Sequence, residues 1–210
     1  MQPLVIDLSN KAIVIAGGGK IAARKAKVLL EQGANITFIA PAFSNEVLKL
    51  AQQNHFQCIE REIELADFED AFLCILATNN RAINNHFGEI LTQQKLVCVV
   101  DELTDGNTIF PATVTRGHLQ VAVTSNGSSP KLTRALKQQL SKQFDESWTE
   151  YTAFLAEYRQ LVKKLPISKI EKNDYLQEVL ADEFRVNNKQ QRESLEALHI
   201  AAVRSTEGKI

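Results

Sequence analysis

Along the first hundred residues, short unbroken apolar runs alternate with stretches whose apolar residues recur at helical spacing. "AIVIA" (Ala12–Ala16) has no polar alternation and ends at glycine, which predicts a strand buried on both faces. Ile21, Ala22, Ala26, Leu29 and Leu30 then follow a helical period, and Gly33 supplies the stop. "NITFIA" (Asn35–Ala40) predicts the next strand. A helix through Val47, Leu48 and Ala51 follows, with Ser44 or Asn45 as its cap. "FQCIERE" (Phe56–Glu62) reads as a third, more exposed strand and "AFLCILAT" (Ala71–Thr78) as a buried fourth. A helix through Ile83, Phe87, Ile90 and Leu91 leads to "LVCVV" (Leu96–Val100), a fifth buried strand that runs into Asp101. Buried strands alternating with helices at this spacing predict an α/β fold, a parallel sheet with right-handed crossovers.

After about residue 107 the pattern changes. "TIFPATVTR" and "HLQVAVTS" read as two strands around Gly117-His118, with Leu119, Val121 and Val123 alternating on one face. "NGSSP" opens a long helical stretch, with Ser129 as cap and Pro130 at the first helical position. Trp148, Tyr151, Leu155, Tyr158, Val162 and Leu165 carry an apolar stripe onward until Pro166 breaks it. The remainder, to Ile210, reads as helical and polar with a thin apolar face. The expected division is a nucleotide-binding domain over 1–112, a small β-plus-helix segment over 113–143 and a helical domain over 144–210. The C-terminal half is expected to lack an adequate core of its own, which oligomerisation would remedy.

Composition narrows the function classes. The 210 residues are 44% hydrophobic and 23% charged, ordinary for a globular chain, and the formal net charge of -1 argues against gripping DNA or an anionic membrane. No apolar run approaches the roughly 20 residues of a membrane span. The start carries an acid and no basic cluster, unlike a secretory signal. Cys58, Cys74 and Cys98 are far apart in strand-like runs, which fits buried thiols in a reducing cytoplasm better than a disulfide or zinc framework. His55, His86, His118 and His199 show no metal-ligand spacing, and no metal ligand is assigned.

The triple glycine Gly17-Gly18-Gly19 needs a reason, because adjacent glycines cost backbone entropy on folding. Gly17, Gly19 and Ala22 fit the strand–turn–helix form of a dinucleotide fingerprint, in which the backbone approaches a pyrophosphate lying on the helix N-terminus. The expectation is a Rossmann-like sheet with Gly17, Gly18, Gly19, Lys20 and Ile21 at the cofactor. The acid that usually holds the adenosine ribose is missing from "TFIAPAF", and no arginine stands there for a 2′-phosphate. The adenosine end is then held by backbone around Pro41 and Ala42, with NAD favoured over NADP. Thr78 and Asn79, after the fourth buried strand, are further cofactor candidates.

At "GGGKIAARKA", "ILATNN", "VVDE" and "FPATVTRGHLQVAVTSNGSSPKL" the chain resembles the precorrin-2 dehydrogenases, the NAD-dependent enzymes of sirohaem synthesis. The matching residues are Gly17–Gly19 with Arg24-Lys25, Ala77-Thr78-Asn79-Asn80, Val100-Asp101, Phe110-Pro111 and Ser125 through Leu132. They cover roughly residues 1 to 140; no motif of the family is read in the last 50 or so. The resemblance implies oxidation of a reduced, carboxylate-rich tetrapyrrole, precorrin-2, to sirohydrochlorin, with a hydride passing to nicotinamide and a proton to a base. It implies a homodimer, with residues 113–143 as its dimerisation segment, and it puts the catalytic aspartate at Asp101. That residue is also expected at the carboxyl end of a buried strand, where open α/β sheets place ligands.

"TSNGSSPKL" offers a second anion site. Ser125, Asn126, Gly127 and Ser128 precede a helix whose free N–H groups suit a substrate carboxylate, with Lys131, Arg134 and Arg116 adding charge. A well-capped helix start with no ligand is the plainer alternative. Two other functions stay open: a bifunctional enzyme that also inserts Fe2+ into sirohydrochlorin, and a non-catalytic NAD-sensing module.

Overall fold

Ile13, Ile15 and Ala16 have essentially no solvent exposure, as an unbroken apolar run predicts for the middle of a sheet covered on both sides. The computed structural model describes residues 1–100 and 104–207, and falls into two units, Met1–Phe110 and Pro111–Ile210. In the first unit β1 (Ala12–Ala16) is the central strand of a five-stranded parallel sheet in the order β3-β2-β1-β4-β5. The others are β2 (Asn35–Ile39), β3 (Gln57–Ile59), β4 (Leu73–Leu76) and β5 (Leu96–Val99). The chain winds outward from β1 to β3, then returns past β1 to build β4 and β5. The strand order therefore reverses between β1 and β4. Ala16 pairs with both Ile39 and Leu76, so these three strands end at one level.

Side-chain alternation along β1 divides the core. Ile13 and Ile15 face α1 (Lys20–Leu30) and α2 (Asn45–Asn54), meeting Ala22, Ala23, Ala26, Leu29, Val47 and Leu50. Val14 and Ala16 face the other layer, where Phe68 of a short 3-10 turn and Leu91 of α3 (Arg81–Leu91) cover the sheet. The third strand is shorter than its apolar pattern predicts. Beyond Ile59 the Arg61 amide turns back onto the Ile59 carbonyl, and the Arg61 guanidinium grips the Asp67 carboxylate. At the outer edge of β5, Asn107 stands in for a sixth strand. Its Oδ1 accepts from the Val97 amide at 2.8 Å, while its Nδ2 donates to the carbonyls of Lys95 (2.7 Å) and Thr92 (3.1 Å). An edge occupied in this way presents fewer unpaired groups to another chain.

The second unit begins with the antiparallel pair β6 (Ala112–Arg116) and β7 (Leu119–Val123), joined through Gly117 at φ +57. Helix α4 (Pro130–Gln143) starts at Ser129, whose Oγ accepts from the Leu132 amide at 3.3 Å. The long helical stretch read as continuous from "NGSSP" is broken at Phe144–Glu146, ahead of the apolar stripe. There Asp145 accepts from the Ser147 amide at 3.0 Å and starts α5 (Ser147–Lys164). Helices α6 (Lys169–Glu178), α7 (Asp182–Val186) and α8 (Asn188–Glu207) follow.

The expected lack of a core is wrong for these later helices. Tyr151, Phe154, Tyr158, Leu161 and Val162 of α5 are buried against Val179, Phe184 and Leu198. Their partners are single apolar residues scattered over the last 40 positions, so no local window reveals the cluster. The expectation does fit β6, β7 and α4, where Val114 is the buried residue among those described and α4 has none.

The Tyr151 hydroxyl donates to the Val179 carbonyl at 2.8 Å inside this core. Tyr151→Phe keeps the ring and removes that bond, with an expected loss of about 1–3 kcal/mol in urea denaturation. The half-exposed Tyr175 serves as control: Tyr175→Phe is expected to stay within about 0.5 kcal/mol of wild type.

Candidate cofactor site

The three glycines do three different things. Gly17 has φ +137, and a Cβ on it would lie 2.3 Å from the Ala77 carbonyl oxygen at the exit of β4. Gly18 presses on the other side: its Cβ would lie 2.0 Å from the Ala42 oxygen, and its carbonyl accepts from the Ser44 amide at 2.8 Å. The turn is threaded between the exits of β4 and β2, and only glycine fits at either contact. Gly19 is different. Its backbone is extended, open to any residue, and a Cβ there would meet no atom of the described residues within 4 Å. Among the described residues, no protein group demands glycine at this position. It is also the N-cap of α1, without a side-chain cap for the first-turn amides. Open space over an uncapped helix start is what a phosphate requires, and the residues present fit the pyrophosphate of a dinucleotide.

Beside this turn lies a cavity of about 520 Å³. Gly19, Lys20 and Ile21 line it from the glycine turn; Ala77, Thr78, Asn79, Arg81 and Asn84 from β4 and α3; Val99, Val100 and Asp105 from β5 and the chain after it. It sits at the carboxyl ends of β1, β4 and β5, at the point where the strand order reverses, the usual ligand position in an open α/β sheet. Lys20 and Arg81 bring positive charge to the cavity and Asp105 a carboxylate.

Of the expected cofactor residues, Gly19, Lys20, Ile21, Thr78 and Asn79 come together here, with Gly17 and Gly18 forming the turn beneath. Pro41 and Ala42 are exposed at the exit of β2, touching the turn at Gly18 but outside the cavity lining. Asp101 lies outside the described residues. Thr78 is less available than expected: its hydroxyl donates to Asn84 Oδ1 at 2.6 Å and accepts from the Asn80 amide at 3.2 Å. Sequence reading missed Asn84, Arg81 and Asp105. For Asn84 a signal existed, a polar residue next to Ile83 on a helix otherwise read by its apolar period.

Lys25 lies outside the cavity lining. Its ammonium rests 4.2 Å from the centre of the Phe110 ring, and burial pushes its pKa down. It anchors the end of the first unit.

In the second unit, Ser125, Asn126, Gly127 and Ser128 form a tight turn ahead of α4, with positive φ at Asn126 and Gly127. Much of its polar capacity is spent internally. Ser125 Oγ accepts from the Ser129 amide and the Thr133 hydroxyl, and the Ser128 hydroxyl donates to the Ser125 carbonyl at 2.7 Å. Lys131 and Arg134 are exposed on the first turns of α4. Arg116 does not join them. Its Nη2 donates to Ser141 and faces Glu146, each at 3.3 Å. Ser141 is about 15 Å along α4 from Lys131, at the helical rise of roughly 1.5 Å per residue.

The glycines give a paired prediction. Gly17→Ala places a methyl against a backbone carbonyl in a left-handed conformation and is expected to lose about 2 kcal/mol or more of stability. Gly19→Val is expected to melt within a few degrees of wild type while binding NAD roughly tenfold or more weakly. Thermal unfolding and NAD titration of the two variants separate these effects.

Comparison with known proteins agrees with this geometry. The family described as putative NAD(P)-binding matches residues 4–112, the sirohaem biosynthesis protein central family residues 116–143, and the SirC C-terminal domain family residues 148–194. The precorrin-2 dehydrogenase of Priestia megaterium is 34% identical over 198 residues, covering 94% of this chain and 98% of that protein. That of Bacillus subtilis (strain 168) is 38% identical over 145 residues, 69% of this chain and 90% of the relative. A solved structure described as "SirC, precorrin-2 dehydrogenase" superposes with a TM-score of 0.83 at 35% identity, covering 95% of this chain and 99% of its own. Matched over nearly its whole length, with a glycine turn and an uncapped helix start at the reversal of strand order, the chain belongs to the NAD(P)-binding precorrin-2 dehydrogenase family.

Proposed function

We propose that this protein is the NAD-dependent dehydrogenase that oxidises precorrin-2 to sirohydrochlorin in sirohaem synthesis. The observation that carries the reading is the space at Gly19, clear of the described residues beside an uncapped α1 at the reversal of strand order, in a chain of this family. The α1 amides and Gly19 hold the pyrophosphate, and Lys20 adds charge beside it. When bound, the nicotinamide supplies the hydride acceptor. Two hydrogens leave the substrate, one as hydride and one as a proton. Asp101, directly after the β5 exit, takes that proton; a carboxylate beside a large apolar macrocycle is partly desolvated, which raises its pKa toward the working range.

Recognition of NAD rather than NADP is supported by the "APAF" run after β2, which offers no cation to a 2′-phosphate. The nearest strand exit, β3, has its arginine, Arg61, engaged by Asp67. The substrate's carboxylates are assigned to the Ser125–Ser128 turn with Lys131 and Arg134; Arg116, drawn to Ser141 and Glu146, is left out of that set. Between Pro111 and Gln143 the chain carries Arg116, Lys131, Arg134, Lys137 and Lys142 and no acidic residue, in a protein of net charge -1. A polycarboxylate is the ligand such an imbalance favours. The protein works as a homodimer, because β6, β7 and α4 bury little by themselves. Its three free thiols fit a reducing cytoplasm.

Anaerobic turnover of precorrin-2 with NAD, followed by sirohydrochlorin absorbance, tests the reaction and the base together. Wild type is expected to form one NADH per sirohydrochlorin, and Asp101→Asn to lower kcat by about 100-fold or more. An Asp101→Asn rate equal to wild type would remove Asp101 from the mechanism. Absence of product with wild type would remove the dehydrogenase reading.

A further inference from the structure

Asn84 is a buried amide, 6% exposed, on a helix whose other buried positions are apolar or glycine. Burying an amide costs free energy unless its groups are paired. Asn84 directs its hydrogen bonds to a single residue. Its Oδ1 accepts from the Thr78 amide at 3.2 Å and from the Thr78 hydroxyl at 2.6 Å, and its Nδ2 donates to the Thr78 carbonyl at 3.1 Å. Two-point pairing to one residue's N–H and C=O is what a neighbouring strand provides in a ladder. The ladder of β4 ends here: Ala77 still donates to the Ala16 carbonyl at 2.8 Å, and at Thr78 the chain leaves the sheet.

The peptide between Ala77 and Thr78 is rigid and planar, so its two ends move together. At one end the Thr78 N–H is held by Asn84. At the other, the Ala77 oxygen is the group against which Gly17 lies without room for a Cβ. The glycine turn and the β4 exit are two walls of the same cavity, and this one peptide plane sets their separation.

We propose that Asn84 is the positioning residue of the cofactor site: by clamping Thr78 it fixes the Ala77–Thr78 peptide and hence the spacing between the glycine turn and the nicotinamide side of the cavity. This rests on the reading of that cavity as the NAD site. It also accounts for Thr78, whose hydroxyl is consumed by the clamp, leaving ligand contact on this loop to Asn79 and the backbone.

The test compares Asn84→Ala and Asn84→Asp in the full chain, measuring kcat and KM for NAD and precorrin-2 separately, with thermal unfolding alongside. Asn84→Ala is expected to raise KM for NAD about tenfold while KM for precorrin-2 stays within about twofold. In Asn84→Asp the carboxylate still accepts from the Thr78 amide and hydroxyl but confronts the Thr78 carbonyl without a donor; once protonated it regains the donor. Burial raises such a carboxyl's pKa, so kcat/KM for NAD, taken relative to wild type, is expected to rise as pH falls from 8 to 6. Lys20, Arg81 and Asp105 line the same cavity in both proteins, so their titration cancels in the ratio. Both KM values rising in step, a lower melting temperature with unchanged KM, or a ratio flat with pH overturns the proposal. Should Asn84→Ala fail to fold, the Asn84→Asp ratio decides alone. A wild type without NAD-dependent turnover overturns the cofactor reading; a normal wild type with variants lacking the split overturns only the role of Asn84.

Discussion

Gly17 lies so close to the Ala77 carbonyl that a methyl group would come within 2.3 Å of it, and the rest of the first unit is arranged to allow that contact. Because β1 and β4 are neighbours ending at the same register, the turn leaving β1 must pass directly over the exit of β4. On its other side it must clear the exit of β2, where Gly18 meets Ala42. Only a backbone without side chains threads both. That constraint aims α1 so that its uncapped start lies at the point where strand order reverses, and the proposed phosphate site rests on that strand order and those sterics.

The interior behind this site is built for rigidity rather than chemistry. Alternate residues of β1 commit to opposite layers, so both faces of the central strand are packed and the turn has little freedom to shift. The thiols Cys74 and Cys98 belong to that packing, and burial raises the pKa of each, which keeps them protonated and inert. Asn107 covers part of the β5 edge of the sheet with side-chain bonds, and the Arg61–Asp67 pair secures the chain just beyond the end of β3. The second unit divides its labour differently. Its α5–α8 part folds around an aromatic core, whereas β6, β7 and α4 present most of their side chains to solvent along with an excess of positive charge.

Where reading the chain fell short, the reason was distance along it. The break between α4 and α5, where Asp145 accepts from both the amide and the hydroxyl of Ser147, falls inside what reads as one helical stretch. The C-terminal core was missed because Val179, Phe184 and Leu198 are isolated apolar residues in polar helices, meaningful only once they meet Tyr151, Phe154 and Tyr158. Arg116 was grouped with Lys131 and Arg134 by sign of charge, but the hairpin delivers it to Ser141, farther along α4.

By itself the sequence determined the four buried strands and the more exposed third, the helices between them, the glycine turn and the family, because each is written in local periodicity or in motifs of a few adjacent residues. Tertiary structure alone decided which glycine serves which purpose. All three look alike in the chain, yet Gly17 and Gly18 answer to carbonyls about 60 and 24 positions away and Gly19 answers to no atom of the described residues. It alone also decided that Asn84 belongs to Thr78. Hydrogen bonds and steric contacts act through space over a few ångströms, whereas a sequence pattern records only neighbours along the backbone.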